Sequence, residues 1–475
     1  MERRQNTFFW VTGCLVFIFA LLFLGLPLSA LGYDTRLLAL DSPTLSQTAG
    51  AAAAGVGVNI IFPSDEFGLG LSSVPDTFDI WKLPGRLADK RLFPSNSVIL
   101  NYTGGTTGNG GIVIAPAKLP FALGVFVLRP NLNGWVIGSP RGDLAGLGAS
   151  YYADAVTDGI LSVPALGPAA PTNVIDGLIA VKLGRFTIGA GVGYAYDKAL
   201  DTVTSTEGTA NSEITQKSES SVITVRAGAG VDFTLGIPFA LDLGMIVAIN
   251  NYEASYKSGA VAAPPSEDDV INGDSMAINV YARVLGSVSP ALDIVLLVDY
   301  AWMEQEYDQV DNGTTLDSTT AQVDKDGSNF GSVGFGAGMN WTPSNKVLVN
   351  ALVTAVLGEA RWIAEAPGPT FRQEDFLTWK TFRGVIGGEF TLAPWIVLRG
   401  GIGSALSWSV TELNADTGGT SSEAKSFNFT TTASAGMGIK IKDPVTLDFV
   451  VNMSNFTSST FFQTLALQTS MKVDF

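Results

Sequence analysis

Residues 332–341 read SVGFGAGMNW, and every second residue of this stretch is apolar. Serine, glycine or asparagine occupies the positions between them. Because successive side chains of a β-strand point to opposite faces, this period of two predicts a strand with one apolar face and one face of small or polar residues. The apolar face consists of Val333, Phe335, Ala337, Met339 and Trp341.

The same alternation recurs along the chain from about Ser97 onward. It is clear in residues 223–234 and in residues 429–441, where Lys440 falls on the polar face. Pairs of such stretches are joined by short turns that contain proline or glycine, which is typical of antiparallel hairpins. These turns are Lys118-Leu119-Pro120, Leu183-Gly184-Arg185, Gly236-Ile237-Pro238, Val288-Ser289-Pro290, Thr342-Pro343-Ser344, Leu392-Ala393-Pro394 and Lys442-Asp443-Pro444.

Longer polar segments, rich in Ser, Thr, Asp and Glu, alternate with these short turns. The sequence therefore predicts a single sheet with a short-turn end and a long-loop end. The predicted long loops are residues 131–173, 197–221, 253–275, 305–329, 359–380 and 412–426.

The composition favours a membrane setting. Charged residues make up 15% of the chain, against about a quarter in soluble domains. Beyond the N-terminal segment no apolar run reaches the roughly 18 residues that a spanning helix needs. Because backbone groups cannot stay unpaired in hydrocarbon, a closed β-barrel is the remaining spanning structure. A soluble β-sandwich would also alternate, but strands of about ten residues and unequal loops favour the membrane barrel.

The predicted fold is an all-β, antiparallel up-and-down barrel of about 16 strands, with 14 as the alternative. It would comprise residues 97–475. The last strand is amphipathic and ends on Phe475. Outer-membrane barrels commonly end this way, and the resemblance implies that Phe475 is a signal read by the barrel assembly machinery. With the carboxyl terminus in the periplasm, the short turns would face the periplasm.

The first 32 residues have the features of a secretory signal. Arg3 and Arg4 precede an apolar stretch over residues 8–26, and small residues follow before Tyr33. We expect cleavage before Tyr33 and delivery to the outer membrane of a Gram-negative cell. An uncleaved anchor is the alternative. Residues 11–14 also resemble a lipobox around Cys14, but most of the apolar core follows that cysteine, so we interpret the match as accidental.

Several function classes are disfavoured by what the sequence lacks. It contains no histidine, which is the commonest general base and metal ligand. Its single cysteine lies in the predicted signal, so no thiolate metal site is expected. The net charge of −16 argues against nucleic acid as a partner. We therefore predict a protein that is not an enzyme and that carries no cofactor or metal.

The face assignments predict two sets of functional residues. Four tryptophans near strand ends would form interfacial girdles against outer-membrane lipid. Charged residues on the small-residue face would line a pore and set its selectivity, or else pair with one another or with a plug. The predicted girdle is Trp302, Trp341, Trp395 and Trp408. The predicted pore-lining residues are Lys182, Arg226, Asp232, Asp242, Arg283, Asp293, Asp299, Arg383, Glu389 and Arg399.

Residues 33–96 do not alternate consistently. They contain the small-residue run 49–54, which reads AGAAAA, ahead of an apolar, glycine-rich stretch. Here the chain resembles the outer-membrane long-chain fatty acid transporter family, in which an N-terminal hatch fills a 14-stranded barrel. The resemblance implies a plug-like segment over residues 33–96 and lateral passage of hydrophobic ligands. The family's Asn-Pro-Ala signature is absent; Phe62-Pro63-Ser64 stands near that place. Two further strands are the alternative.

Two functions are consistent with these features. The first is an outer-membrane channel or transporter, with hydrophobic small molecules such as fatty acids as the predicted ligands. The second is a structural or surface-interaction barrel whose lumen stays closed.

Overall fold

The computed structural model describes residues 40, 44–45, 52–53, 56–57, 71–103, 108–127, 173–207, 210–260, 267–311, 322–365, 372–413, 422–441, 445–454 and 465–474. Four two-residue strands precede the sheet: β1 (Thr44–Leu45), β2 (Ala52–Ala53), β3 (Val56–Gly57) and β4 (Leu71–Ser72). They form two small antiparallel pairs, β1 with β4 and β2 with β3. Two 3-10 turns follow, at Thr77–Trp81 and Pro84–Ala88.

Sixteen long or medium strands form the rest of the described chain. The first eight are β5 (Ser97–Thr103), β6 (Gly108–Ile114), β7 (Phe121–Val127), β8 (Asn173–Leu183), β9 (Phe186–Glu207), β10 (Ala210–Leu235), β11 (Ile237–Ala260) and β12 (Glu267–Ser289). The others are β13 (Leu292–Asp311), β14 (Gln322–Ser344), β15 (Val347–Glu365), β16 (Arg372–Ala393), β17 (Ile396–Leu413), β18 (Ser422–Ile441), β19 (Val445–Ser454) and β20 (Leu465–Asp474).

These sixteen strands form one closed antiparallel barrel. Each strand pairs with its neighbours in the sequence, and β20 pairs with β5 through the register Asp474↔Ser97 to close the ring. The predicted up-and-down barrel is therefore confirmed, and the strand number is 16 rather than 14. Closure leaves no unpaired sheet edge, which is the condition for a sheet to lie in hydrocarbon. Within the described residues no helix is both long and apolar enough to cross a membrane.

Five of the six predicted long loops are wrong in their bounds, because the strands continue into them. Residues 131–172 of the sixth lie outside the described residues. Residues 197–221, predicted as a loop, belong almost wholly to β9 and β10, which pair from Val231↔Phe186 up to Ala210↔Glu207. The other predicted loops after residue 250 shrink in the same way. Over residues 201–217 the sequence is mostly polar at both alternating positions, so the apolar alternation that marks a strand disappears although the backbone ladder continues.

The outward face of the barrel is apolar over a band. Examples are Ile188, Val192, Leu296, Phe335 and Ile402, which are large apolar side chains exposed on the barrel surface. In a membrane-spanning barrel this surface faces acyl chains rather than water, so its exposure is the expected arrangement.

Three of the four predicted girdle tryptophans, Trp302, Trp341 and Trp408, share the alternation of the outward-facing residues of their strands, and Trp395 lies in the turn between β16 and β17. Trp341, Trp395 and Trp408 are exposed, and Trp302 is half-buried. Trp302 pairs with Gly331, ten residues before Trp341 on β14. At about 3.4 Å per residue and a tilt of about 40°, the two tryptophans lie about 25 Å apart along the barrel axis, the height of a typical apolar band. Their role as membrane anchors stays a prediction.

Residues 71–96 lie inside the ring. The turn Pro84–Ala88 contacts β7, β8, β9 and β10, Arg283 of β12 bonds to Ser72 and Asp79, and Lys472 of β20 donates to the backbone oxygen of Leu92. One short segment can touch the small-residue faces of strands on all these sides of a closed ring only from within it. Most of residues 33–70 fall outside the described part of the chain, so the extent of the predicted plug over 33–96 stays a prediction.

Candidate functional site in the barrel lumen

A buried cluster of charges ties the inner segment to the barrel wall. Asp242 of β11 accepts hydrogen bonds from two arginines: Arg86 Nη2 at 2.6 Å and Arg283 Nε at 3.0 Å. Arg86 also donates through Nη1 to Asp89 at 2.9 Å. Asp242 and Arg283 are register partners on β11 and β12, so the wall supplies a preformed pair onto which Arg86 docks.

Arg283 extends this cluster to the first part of the segment. Its Nη1 donates to Asp79 Oδ2 at 2.7 Å and to the backbone oxygen of Ser72 at 3.0 Å. Burial raises the pKa of Asp79, and the Arg283 guanidinium offsets this only in part. Asn340 of β14 adds a bond from Nδ2 to the Ser73 oxygen at 2.8 Å. Removing one member of such a buried cluster leaves its partners' charges without compensation, which is strongly destabilising.

A second buried pair crosses a strand. Arg226 of β10 donates to Asp176 of β8 at 2.9 Å, and both side chains are 0% exposed. The pair passes over Gly193 of β9, where an added Cβ would lie 2.2 Å from Asp176 Oδ1. The Arg226 guanidinium also lies 5.7 Å from the centre of the Trp81 ring, so the pair contacts the inner segment as well.

The remaining predicted pore-lining residues are distributed around the ring. Arg399 bonds to Glu389 and to Asp448, which links β16, β17 and β19. Asp299 is buried, Lys182 and Arg383 are half-buried, and Asp293 accepts from Ser287 Oγ at 2.7 Å. Asp232 lies at the short-turn end. The structure thus brings together two pairs of the predicted set, Asp242 with Arg283 and Glu389 with Arg399. Whether the predicted residues line an open pore stays a prediction.

Sequence reasoning missed several members of these clusters. Asp176 and Asp448 share the alternation parity of the predicted set, so the same pattern could have found them. Asp79, Arg86 and Asp89 belong to the inner segment, which does not alternate and whose partners are far away in sequence. No local pattern identifies them.

The lumen also contains an apolar cluster, which shares strands β11 and β12 with the charge cluster. Leu83 of the segment packs with inward side chains from four strands, β11, β12, β13 and β15, and Leu285 packs against the cluster. The wall members are Ile246, Tyr281, Val295, Leu297, Leu352 and Val356.

A second apolar cluster fills the side of the lumen near β6–β8. It joins Ile80, Trp81, Leu87 and Phe93 of the segment to wall residues such as Phe126, whose ring lies 4.7 Å from that of Trp81 in an edge-on arrangement. Among the residues that the structure describes, no group of His, Cys, Asp and Glu is suited to hold a metal ion. The lumen is therefore a place of apolar contacts and ion pairs.

Comparison with known proteins gives similarity at the level of shape. No protein-family model matches the chain, and no curated protein matches it. The chain is similar to the CymD monoaromatic hydrocarbon channel at 10% identity and a TM-score of 0.39, covering 92% of this chain and 98% of that one. A FadL homologue of Pseudomonas aeruginosa matches at 12% identity and a TM-score of 0.40, covering 94% and 100%. The toluene transporter TodX of Pseudomonas putida matches at 10% identity and 0.36, covering 94% and 99%. At these identities and scores the likeness carries no argument about ligand or mechanism.

Proposed function

We propose that this protein is an outer-membrane channel for small, largely apolar molecules. One observation carries the proposal: the inward face of a closed sixteen-stranded barrel holds a cluster of apolar side chains drawn from β11, β12, β13 and β15. A barrel of this strand number that conducts hydrophilic solutes has a polar, water-filled interior.

An apolar lumen favours apolar cargo on physical grounds. Apolar surface transferred from water to apolar surroundings gains about 25 cal/mol per Å². A hydrocarbon that leaves water is therefore favoured along a path lined by Leu297, Leu352 and Val356. A hydrated ion or sugar would lose water there without replacement hydrogen bonds and would be rejected.

The outer membrane as the location rests on two features. Closed barrels with an apolar outer band span membranes, and bacterial ones have an even number of strands. The N-terminal sequence has the features of a secretory signal. In this proposal the short turns face the periplasm.

The inner segment is the element that controls passage in this proposal. It is joined to the wall by a limited set of side-chain bonds, centred on Arg86, Asp242 and Arg283. A path opens when these bonds break and the segment shifts away from the wall. Transport therefore requires that the bonds can break under working conditions.

A proteoliposome assay tests the proposed function. Vesicles with purified protein should take up an aromatic hydrocarbon or a medium-chain fatty acid faster than protein-free vesicles, while sucrose stays excluded. Equal entry of sucrose would show a general porin and contradict the proposal.

The second candidate, a closed structural barrel, is favoured by one observation. The buried pairs Asp79–Arg283 and Arg86–Asp242 join the segment to the barrel wall. If vesicles show no added uptake of any solute, including with the Asp242→Ala variant that releases the segment, the structural function replaces the channel.

A further inference from the structure

A cavity opens at the short-turn end, between the inner segment and the wall. Its volume is about 410 Å³, within the range of pockets that hold small organic ligands. Pro75 and Arg91 of the segment form one side, and β10 to β13 with the β8–β9 turn form the other. Its charged and polar lining consists of Arg91, Arg185, Asp232, Thr234, Ser287 and Asp293.

The cavity is continuous with the apolar lumen on one side. Leu285 lines the cavity and also packs against the apolar cluster of the lumen. Ala240, the register partner of Leu285, lines it too. The next inward pair on the same two strands is Asp242 with Arg283, the wall part of the charge cluster. The cavity therefore ends where the segment is tied to the wall.

The charged side chains at the cavity differ in whether they already have a bonding partner. Arg91, whose side chain is 74% exposed, is bound to Asp89 at 2.7 Å. Asp293 accepts a hydrogen bond from Ser287. Arg185 lies exposed in the tight β8–β9 turn, and within the part of the chain that the structure describes its guanidinium makes no ion pair or hydrogen bond. A guanidinium with its donors available is suited to a carboxylate.

The apolar part of the lining lies beside this cation. Pro75, Pro238 and Leu285 face the same cavity. Of the two carboxylates in the lining, Asp232 interacts with the charge of Arg91 and Asp293 accepts from Ser287, so Arg185 is the cation available to a ligand. Such a site fits a small amphipathic molecule with an anionic head and an apolar body.

We infer that this cavity is the short-turn-end outlet of the transport path and that it binds small monocarboxylates, with Arg185 holding the carboxylate and Pro75 and Leu285 contacting the apolar body. The inference rests on the proposed channel function, because an outlet requires transport. Molecules leave the apolar cluster past Leu285 and pause at Arg185 before release.

Cysteine protection tests the binding part. In a Cys14→Ser background, Thr234→Cys places a thiol in the cavity, and its reaction with N-ethylmaleimide is followed by mass spectrometry. We expect octanoate to slow the reaction, and octanol to need a concentration about tenfold higher for the same protection, as loss of a charge-assisted hydrogen bond implies. Adding Arg185→Gln should remove the octanoate advantage, whereas Lys118→Gln, at another short turn of the same end, should keep it.

Equal protection by octanoate and octanol, or an octanoate advantage that survives Arg185→Gln, overturns the assigned ligand class.

The outlet part is tested by uptake of octanoate into proteoliposomes after Thr234→Cys has reacted with a bulky maleimide. We expect uptake to fall at least about tenfold relative to the unreacted variant. Unreduced uptake overturns the outlet but leaves the channel function standing. Absence of uptake with the unmodified protein overturns both.

Discussion

The glycines at positions 189, 191 and 193 of β9 and those at 334, 336 and 338 of β14 share one sequence pattern, but they lie against different neighbours. An added Cβ at Gly189 would lie 2.4 Å from backbone atoms of Pro84 and Gly85 in the inner segment. At Gly336 the nearest atom would be Leu297 Cβ at 3.2 Å, which belongs to the wall itself.

This difference shows that the two sides of the lumen are specialised. On β9, small residues let the inner segment and the Asp176–Arg226 pair approach the backbone. On β14, the space beside the glycines is taken by Leu297 and Leu352 of the apolar cluster. A glycine repeat in a strand therefore indicates that other atoms lie close to the strand backbone. Which atoms these are can be seen only in the folded structure.

The largest effect is expected from Asp242→Ala, which leaves Arg86 and Arg283 buried beside an empty position. The free energy that keeps the segment bound to the wall should fall by about 3–5 kcal/mol. Amide exchange in residues 71–96 should therefore rise by at least about a hundredfold. Hydrogen exchange followed by mass spectrometry measures this. Asp293→Ala, at the short-turn end, is the control and should leave those amides protected. Unchanged exchange in Asp242→Ala would refute the assigned tie.

Acidification should loosen the same contact by a smaller amount. Burial opposes ionisation of Asp89, but hydrogen bonds from Arg91 and the charges of Arg91 and Arg86 outweigh it and lower the pKa of Asp89 to about 2. A lowered pKa means that the stabilisation, about 2 kcal/mol, is present above pH 4 and is lost as the pH falls toward 2. Trp81 emission, taken as the difference from Trp81→Phe, should change in that window. Asp89→Asn should remove this transition, and a transition that persists in it would contradict the assignment.

A matched pair of glycine substitutions tests the comparison itself. Gly189→Ala forces Cβ against the segment backbone and should cost about 1–2 kcal/mol, which raises exchange in residues 82–88 about tenfold. Gly336→Ala meets only side-chain atoms at 3.2–3.4 Å and should change exchange little. If both variants behave alike, the two sides of the lumen are not specialised.

The smallest effect is expected at an exposed ion pair between β9 and β10, toward the long-loop end of these strands. Lys198 and Glu219 are register partners 3.5 Å apart, with side chains 48% and 35% exposed. Lys198→Ala should change the stability by about 0.5 kcal/mol or less, because exposed pairs are screened by water. Thermal unfolding followed by circular dichroism measures it. A large loss of stability would show that the extended hairpin of β9 and β10 is essential to the barrel.

The barrel was predictable because its two faces meet different surroundings. Where lipid lies on one side and a packed lumen on the other, as at residues 332–341, alternation reveals the strand. Around Asp201 and Thr215 the sequence is polar at both alternating positions, so it predicts a loop where β9 and β10 continue. The extent of regular structure is set there by backbone pairing, which leaves little trace in side-chain type.

The lumen was predictable only in part. The alternation of the sequence correctly predicted that Arg226, Asp242 and Arg283 lie on the inward face. Their bonding partners, however, come from residues that are distant in the sequence or on a strand that is not adjacent. Arg86 meets Asp242, 156 positions away, and Asp176 meets Arg226 across an intervening strand. No periodicity encodes such contacts. The predicted signal over residues 1–32 and Phe475 lie outside the described residues, so both stay predictions.

Fluorescence quenching by brominated lipids tests the central claim most directly, namely that apolar side chains outside the ring face lipid while residues 71–96 lie within it. In vesicles, Trp408→Phe should remove emission that bromine quenches, because Trp408 is 54% exposed on the outward face of β17. Trp81→Phe should remove emission that bromine does not quench, because Trp81 is buried in the lumen. Strong quenching of the Trp81 emission, or none of the Trp408 emission, would contradict the account.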